Sequence, residues 1–168
     1  MTLASIGSAA AVVLTMAALP TGSAAQGQDP DARTLAAYRL SEATLTRFVA
    51  ASKNLAAAAQ VGRDTLGEGD EDDAGPETIA DIAAFYDRHP PLRQAIVGAG
   101  LTSREYVIFM LTLFQAGMAA WLVEQHGWDR LPAEIARENV VFYQRHKARL
   151  DSLTADLKER EERDPPQQ

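Results

Sequence analysis

The sequence predicts an all-α fold: a single-domain helical bundle of four main helices plus one short helix, after a cleaved signal peptide. Apolar residues recur at helical spacing in several segments, and no segment shows the apolar–polar alternation of a strand. The connections are short except for one acidic loop, as in a bundle. The predicted boundaries are a signal peptide over 1–25, a disordered leader over 26–37, the bundle over 38–160 with its acidic loop over 67–76, and a disordered tail over 161–168.

The N-terminal segment indicates export from the cytoplasm. Residues 1–25 contain no charged side chain, and their apolar run from Ala9 to Leu19 is too short to span a bilayer. Pro20 breaks the run, and the small residues Ser23 and Ala25 then form an A-x-A-type cleavage site. The usual positively charged n-region is missing, which leaves the true translation start open.

Composition narrows the compartment and the partners. The chain has no cysteine, which excludes a disulfide framework, a thiolate metal site and a lipid-modified cysteine. An exported protein without disulfides is more typical of a bacterial periplasm or exterior than of a secreted eukaryotic domain. The net charge is −7, and six of these charges lie between Glu68 and Glu77. Because no basic face remains, nucleic acid is not expected as a partner.

Recognisable signals set the ends of the predicted helices. Ser41 is an N-cap candidate, His89 precedes a proline and must leave the helical region, and Gly100 suits a helix C-terminus. Thr102 and Glu105 have the spacing of a capping box. The sequence therefore predicts helices over 42–61, 77–88 and 92–98 and a long helix over 103–126 ended by Gly127. A last helix is predicted over 131–160, beginning near Pro132, with a break before Asn139 as an alternative.

The long helix over 103–126 is apolar on both sides. A helix of this kind is either central in a bundle or inside a membrane. Its length is borderline for a span, and no basic flank marks an orientation, so we expect a buried central helix with Phe114 in the core and consider a membrane span the less favoured alternative. The bulky side is lined by Met110, Phe114, Met118 and Trp121, and the small side by Thr112, Ala116, Ala119 and Val123.

Two polar residues interrupt the apolar stripe of the last helix. Asn139 and His146 lie seven residues apart on the same face. One interpretation is a polar patch in a pocket between helices. The other is a cap at the helix start for Asn139 and a hydrogen-bonded boundary residue for His146, since buried polar groups are normally paired. The candidate ligand-binding residues are Asn139, His146, Met110, Phe114, Met118 and Trp121.

Three stretches together resemble a group of small exported bacterial proteins, predicted to be helical and without an assigned function. The resemblance covers most of Thr34 to Leu153 and implies export and an all-helical fold. It implies no activity and no site residues. The stretches are Tyr38-Arg39-Leu40-Ser41 before a helix with Phe48, residues 99–106 with the sequence AGLTSREY, and residues 138–143 with the sequence ENVVFY.

No motif for catalysis or for a cofactor is present. The sequence has no G-x-S-x-G elbow, phosphate loop or dinucleotide glycine pattern, and the histidines form no short ligand pair. An EF-hand-like spacing in the acidic loop places Ala74 and Pro76 at ligand positions and Asp81 inside a predicted helix, so we interpret the loop as a solvated linker. The residues with that spacing are Asp70, Asp72, Gly75 and Asp81. We predict no catalytic residue, no metal and no cofactor.

These observations lead to two function hypotheses. The first is an exported non-catalytic helical domain that binds a protein or an envelope component. The alternative is a periplasmic carrier of an apolar ligand, a lipid or a tetrapyrrole, held between helices by Met110, Phe114, Met118 and Trp121. An enzyme is not favoured, because the sequence groups no nucleophile, base and orienting residue. The oligomeric state is left open.

We predict that the leader is cleaved after Ala25, because small residues at Ser23 and Ala25 follow the Pro20 break. Mass spectrometry of the exported protein should find Gln26, or its cyclised form, at the N-terminus. Recovery of the chain from the envelope with Met1 intact would indicate an uncleaved anchor instead.

Overall fold

The structure, a computed structural model, describes residues 29–62 and 78–163. Within these ranges the chain forms six α-helices and no strand, which confirms the all-α prediction. The predicted signal peptide, the acidic loop and residues 164–168 lie outside the described residues. The helices are α1 (Pro30–Ala37), α2 (Glu42–Gly62), α3 (Ile79–Arg88), α4 (Pro90–Val97), α5 (Ser103–His126) and α6 (Arg137–Arg163).

Capping boxes begin α3 and α5. At α5 the Thr102 hydroxyl accepts from the Glu105 N–H at 3.1 Å, and the Glu105 carboxylate accepts from the Thr102 N–H at 2.8 Å. These hydrogen bonds from Thr102 hold the pKa of Glu105 below its usual value. Thr78 and Asp81 make the same pair at α3, at 3.1 Å and 3.2 Å. Asp81, the last residue of the EF-hand-like spacing, is therefore engaged in a helix cap. Gly127, with φ of 83°, ends α5 as predicted.

The prediction of a disordered leader over residues 26–37 is wrong for Pro30–Ala37, which form helix α1. The side chain of Asp29 caps the helix by accepting from the Asp31 N–H at 3.0 Å, and Pro30 occupies the first helical position. The Asp31 carboxylate accepts from the Ile79 N–H at 2.6 Å, at the start of α3. This bond ties the short helix to the bundle.

Helix α6 begins at Arg137, six residues later than predicted at Leu131. Residues Trp128–Arg130 form a short 3-10 turn, and the chain then stays irregular up to Ala136. Leu131 packs with Trp128 against a small second cluster of α5 and α6, so these side chains hold the connection close to the bundle. At its other end α6 continues to Arg163, so the first residues of the predicted disordered tail are helical.

Helix α5 is central and packs against each of the other five α-helices. Its fully buried Phe109 lies 4.9 Å from the ring of Phe48 and meets the ring of Tyr38 edge-on at 6.5 Å. Further along, Ala119 and Ala120 are buried against Val140 of α6. These small side chains allow α5 and α6 to approach closely, since the interaxial distance depends on the side chains at the contact.

The core prediction for the bulky side of α5 is wrong. The small side faces inward, and Phe114, Met118 and Trp121 are 65%, 60% and 61% exposed. Phe114 is therefore not a core residue. Among the described helices, α5 alone has the length and apolar character of a membrane span, and 56% of its most apolar window is buried in the bundle.

Two phenylalanines on opposite faces of α5 provide a matched test of this orientation. Phe109→Ala should cost about 3–5 kcal/mol of unfolding free energy, because it leaves a cavity in the core. Phe114→Ala should change it by less than about 0.5 kcal/mol, as surface substitutions usually do. Urea denaturation followed by circular dichroism measures both variants. Equal destabilisation of the two would contradict the orientation of α5.

Candidate functional site

An open apolar groove of about 920 Å³ runs along the side of the bundle between α2, α5 and α6. One wall is an exposed row on α5, here called the ridge, formed by Phe114, Met118 and Trp121. The facing wall is formed by Leu55, Ala56 and Ala59 of α2 and by Leu153 and Leu157 of α6. The floor includes the core residues Phe48, Leu113 and Leu150.

The ridge is a continuous exposed apolar surface. Its residues are spaced i, i+4 and i+7, which places them on one face of α5 over about 10 Å of helix length. Each is at least 60% exposed. Contiguous apolar surface of this kind on a folded chain marks an interaction site or a ligand groove more often than a chance feature.

Most polar side chains of the groove are already engaged. The hydroxyls of Ser52 and Tyr106 lie 3.4 Å apart, and the Thr154 hydroxyl donates to the Leu150 carbonyl at 3.1 Å. Asp151 accepts from the Lys147 ammonium at 2.7 Å. These pairs leave the groove suited to an apolar surface rather than to a charged substrate.

Two of the tyrosines that line the groove, Tyr86 of α3 and Tyr106 of α5, are neutral phenols near pH 7. Burial, and then the neighbouring Tyr106, raises the pKa of Tyr86 to about 12. Burial likewise raises the pKa of Tyr106 above its usual value, against the opposing effect of its hydrogen bond with Ser52. Neither phenol is therefore available as a base at neutral pH, and both add uncharged surface.

Tyr143 lies against α5 beside the ridge, and a glycine makes room for it. A Cβ on Gly117 would lie 2.9 Å from Cε2 of Tyr143, closer than real side chains pack. The absence of a side chain at Gly117 therefore lets the ring rest on the α5 backbone and line the groove there.

Four of the six predicted ligand-binding residues line this groove. Met110, Phe114, Met118 and Trp121 lie together in it, whereas Asn139 and His146 are not among its lining residues. The sequence pattern therefore grouped four α5 residues that line one groove, although it placed Phe114 in the core. The prediction missed the wall formed by α2 and α6. The leucine stripe of α6 was visible in the sequence, but no signal showed that α2 lies beside it.

Asn139 has a structural role that does not require a ligand. It is 3% exposed; its Oδ1 accepts from the Leu40 N–H at 3.0 Å, and its Nδ2 donates to the Tyr38 carbonyl at 3.0 Å. These two bonds fasten the connection between α1 and α2 to α6. The helix cap predicted for Asn139 is therefore wrong: α6 begins before it, at Arg137, and its side chain pairs with the α1–α2 connection instead.

His146 lies at the contact between α6 and the start of α2. Its Nε2 is 3.1 Å from the Glu42 carboxylate, at ion-pair distance but without an aligned hydrogen bond. Its ring lies 4.3 Å from the ring of Phe142, and Arg149 is 3.6 Å from the same carboxylate. The side chain is 12% exposed. His146 therefore lies at a boundary between helices, as expected, but without the hydrogen bond expected for it.

Within the described residues, no three side chains of histidine, aspartate or glutamate converge on a point where a metal ion would bind. Comparisons with protein-family models, with curated protein sequences and with solved structures found no match. The functional argument therefore depends on the groove itself.

We predict that Asn139→Ala destabilises the protein by about 1–3 kcal/mol, because it leaves the buried Leu40 N–H without its acceptor. Asn54→Ala is the control: Asn54 is exposed and donates to the Ala95 carbonyl at 3.1 Å. It should cost less, since water replaces the lost partner. Thermal or urea unfolding of the two variants measures the difference. An equal cost would mean that the α1–α2 connection does not depend on Asn139.

Proposed function

We propose that this protein is a non-catalytic binding domain whose groove takes up an apolar helix of a protein chain. The carrying observation is the open groove with its exposed ridge of Phe114, Met118 and Trp121. Grooves between helices are a common site for the apolar face of an amphipathic helix, and methionine surfaces adapt to such partners. The leader sequence supports placing this activity in the periplasm or outside the cell, as part of the same proposal.

The exposure of the ridge favours a helix over a small ligand. A small-molecule site typically buries roughly 70–90% or more of the surface of its ligand. Here one entire wall of the groove is open to solvent, since its three residues are 60–65% exposed. A helix lying along α5 covers such a wall, because it presents apolar side chains at matching i, i+3/i+4 and i+7 positions.

An apolar-ligand carrier is the second candidate. The groove volume of about 920 Å³ falls within the usual range of ligand pockets, roughly 300–1,000 Å³. The residues expected to line such a pocket, Met110, Phe114, Met118 and Trp121, do lie in the groove. Native mass spectrometry of the gently purified protein tests this candidate, because a bound lipid or tetrapyrrole appears as an additional non-peptide mass.

The helix proposal is tested with a labelled peptide. The probe is a fluorescein-labelled 20-residue amphipathic helix of leucine, glutamate and lysine, titrated with the full chain and followed by anisotropy. We expect saturable binding that Phe114→Glu and Trp121→Glu each weaken at least about tenfold, as for buried aromatic hot spots. Val97→Glu, at a 55% exposed apolar site on α4 outside the groove, should have no effect.

A scrambled peptide of the same composition, without an apolar face, controls for nonspecific binding. Equal binding of the two peptides, or equal loss in Phe114→Glu and Val97→Glu, would remove the support for the groove as a helix-binding site. Circular dichroism of each variant checks that the bundle is retained.

A further inference from the structure

We infer that the helix received by the groove is α5 of a second copy of this chain, so that the protein forms a two-fold symmetric dimer. This inference rests on the proposed function and names its partner. The ridge of each copy, Phe114, Met118 and Trp121, lies in the groove of the other. The juxtaposition of an exposed apolar ridge and the apolar groove that it borders is the observation that leads to it.

The surface is complementary to itself. A two-fold interface uses the same patch on both copies, so residue i contacts residue j while j contacts i. With two α5 helices antiparallel, Met118 lies next to the axis, and Phe114 of each copy faces Trp121 of the other. The pair of aromatic contacts then forms on both sides of the axis, and the open wall of each groove is covered.

The area of the ridge fits a small interface between two copies. A large apolar or aromatic side chain buries roughly 150–250 Å², so three residues exposed by 60–65% offer roughly 350–400 Å² per copy. A standard interface buries about 800 Å² per partner around an apolar core. The ridge therefore supplies roughly half of that area, which predicts a weak, concentration-dependent dimer.

The dimer explains why α5 is apolar on all sides. Within one copy α5 buries its small side and core residues such as Phe109 and Leu113, but it leaves the ridge exposed, and only 56% of its most apolar window is buried. A helix that is apolar all round is normally surrounded by other elements. A second copy against the ridge completes that surrounding.

Charge also favours a second copy over a lipid surface. Outside the Glu68–Glu77 segment the net charge of the chain is only −1, so two bundles repel each other weakly. A helix that docks on a membrane surface usually has lysine and arginine along its polar edge. The lining of this groove has one basic residue, Arg160, and one acidic residue, Asp151.

Engineered cysteines test the geometry, because the chain has none of its own. A disulfide requires Cα atoms within about 7 Å, which only residues close to the axis reach. Met118→Cys should form a disulfide-linked dimer under mild oxidation. Val97→Cys is the matched control at similar exposure, 55% against 60%, and should stay monomeric on a non-reducing gel. Equal cross-linking at both positions, or none at Met118→Cys, overturns the two-fold arrangement.

Sedimentation equilibrium of the full chain gives the second measurement. We expect a monomer–dimer equilibrium whose Kd rises at least about tenfold in Phe114→Glu and in Trp121→Glu, and stays unchanged in Val97→Glu. Association that is insensitive to the ridge variants overturns the inference, because it then arises from another surface or from the leader. Partition of a solution monomer onto vesicles of phosphatidylglycerol and phosphatidylethanolamine, lost in Phe114→Glu, overturns it in favour of a membrane surface.

The peptide titration separates this inference from the proposed function. A chain that is monomeric at all concentrations but binds the amphipathic peptide at the ridge keeps the proposed function and loses the dimer. A chain that neither dimerises nor binds the peptide loses both. A dimer that the peptide dissociates supports both.

Discussion

The aromatic contact between Phe48 and Phe109 determines which face of α5 lies inside the bundle. Phe109 is fully buried, Phe48 lies 4.9 Å from it, and Tyr106 stacks on Phe48 at 5.1 Å. Helical geometry then fixes the opposite side, so Phe114 and Trp121 point outward. The core therefore determines where the groove lies, because the ridge is on the face of α5 opposite the aromatic cluster.

Side-chain volume explains why the inward face was predictable only in part. Both faces of α5 are apolar, so hydropathy does not distinguish them, and the bulky face was expected to fill the core. The bundle instead buries Ala116, Ala119 and Ala120, because small residues let α6 pack closely. Once the alanine face is in contact with α6, no helix of the described residues covers the larger side chains on the other face.

Features that depend on a few adjacent residues could be predicted from the sequence better than contacts between distant residues. The capping box of Thr102 and Glu105 and the positive-φ Gly127 were readable from the sequence, because caps depend on a few adjacent residues. The packing of Asn139 against the α1–α2 connection could not be predicted from the sequence. Its two hydrogen bonds join residues that are separated by 99 and by 101 positions along the chain. The same limit applies to the groove: α5 supplied recognisable residues, but its partner walls on α2 and α6 depend on tertiary arrangement.

An exposed ridge of aromatic and methionine side chains has a consequence for association. Such a surface associates with other apolar surfaces unless something covers it. A head-to-tail contact would leave one ridge and one groove free and allow growth, whereas a two-fold pair uses both at once and closes. Under the proposed function and the inferred dimer together, another protein's helix would compete with the second copy for the same groove. Occupancy by that helix would depend on the concentration of the protein itself, because dilution releases the ridge and the groove together.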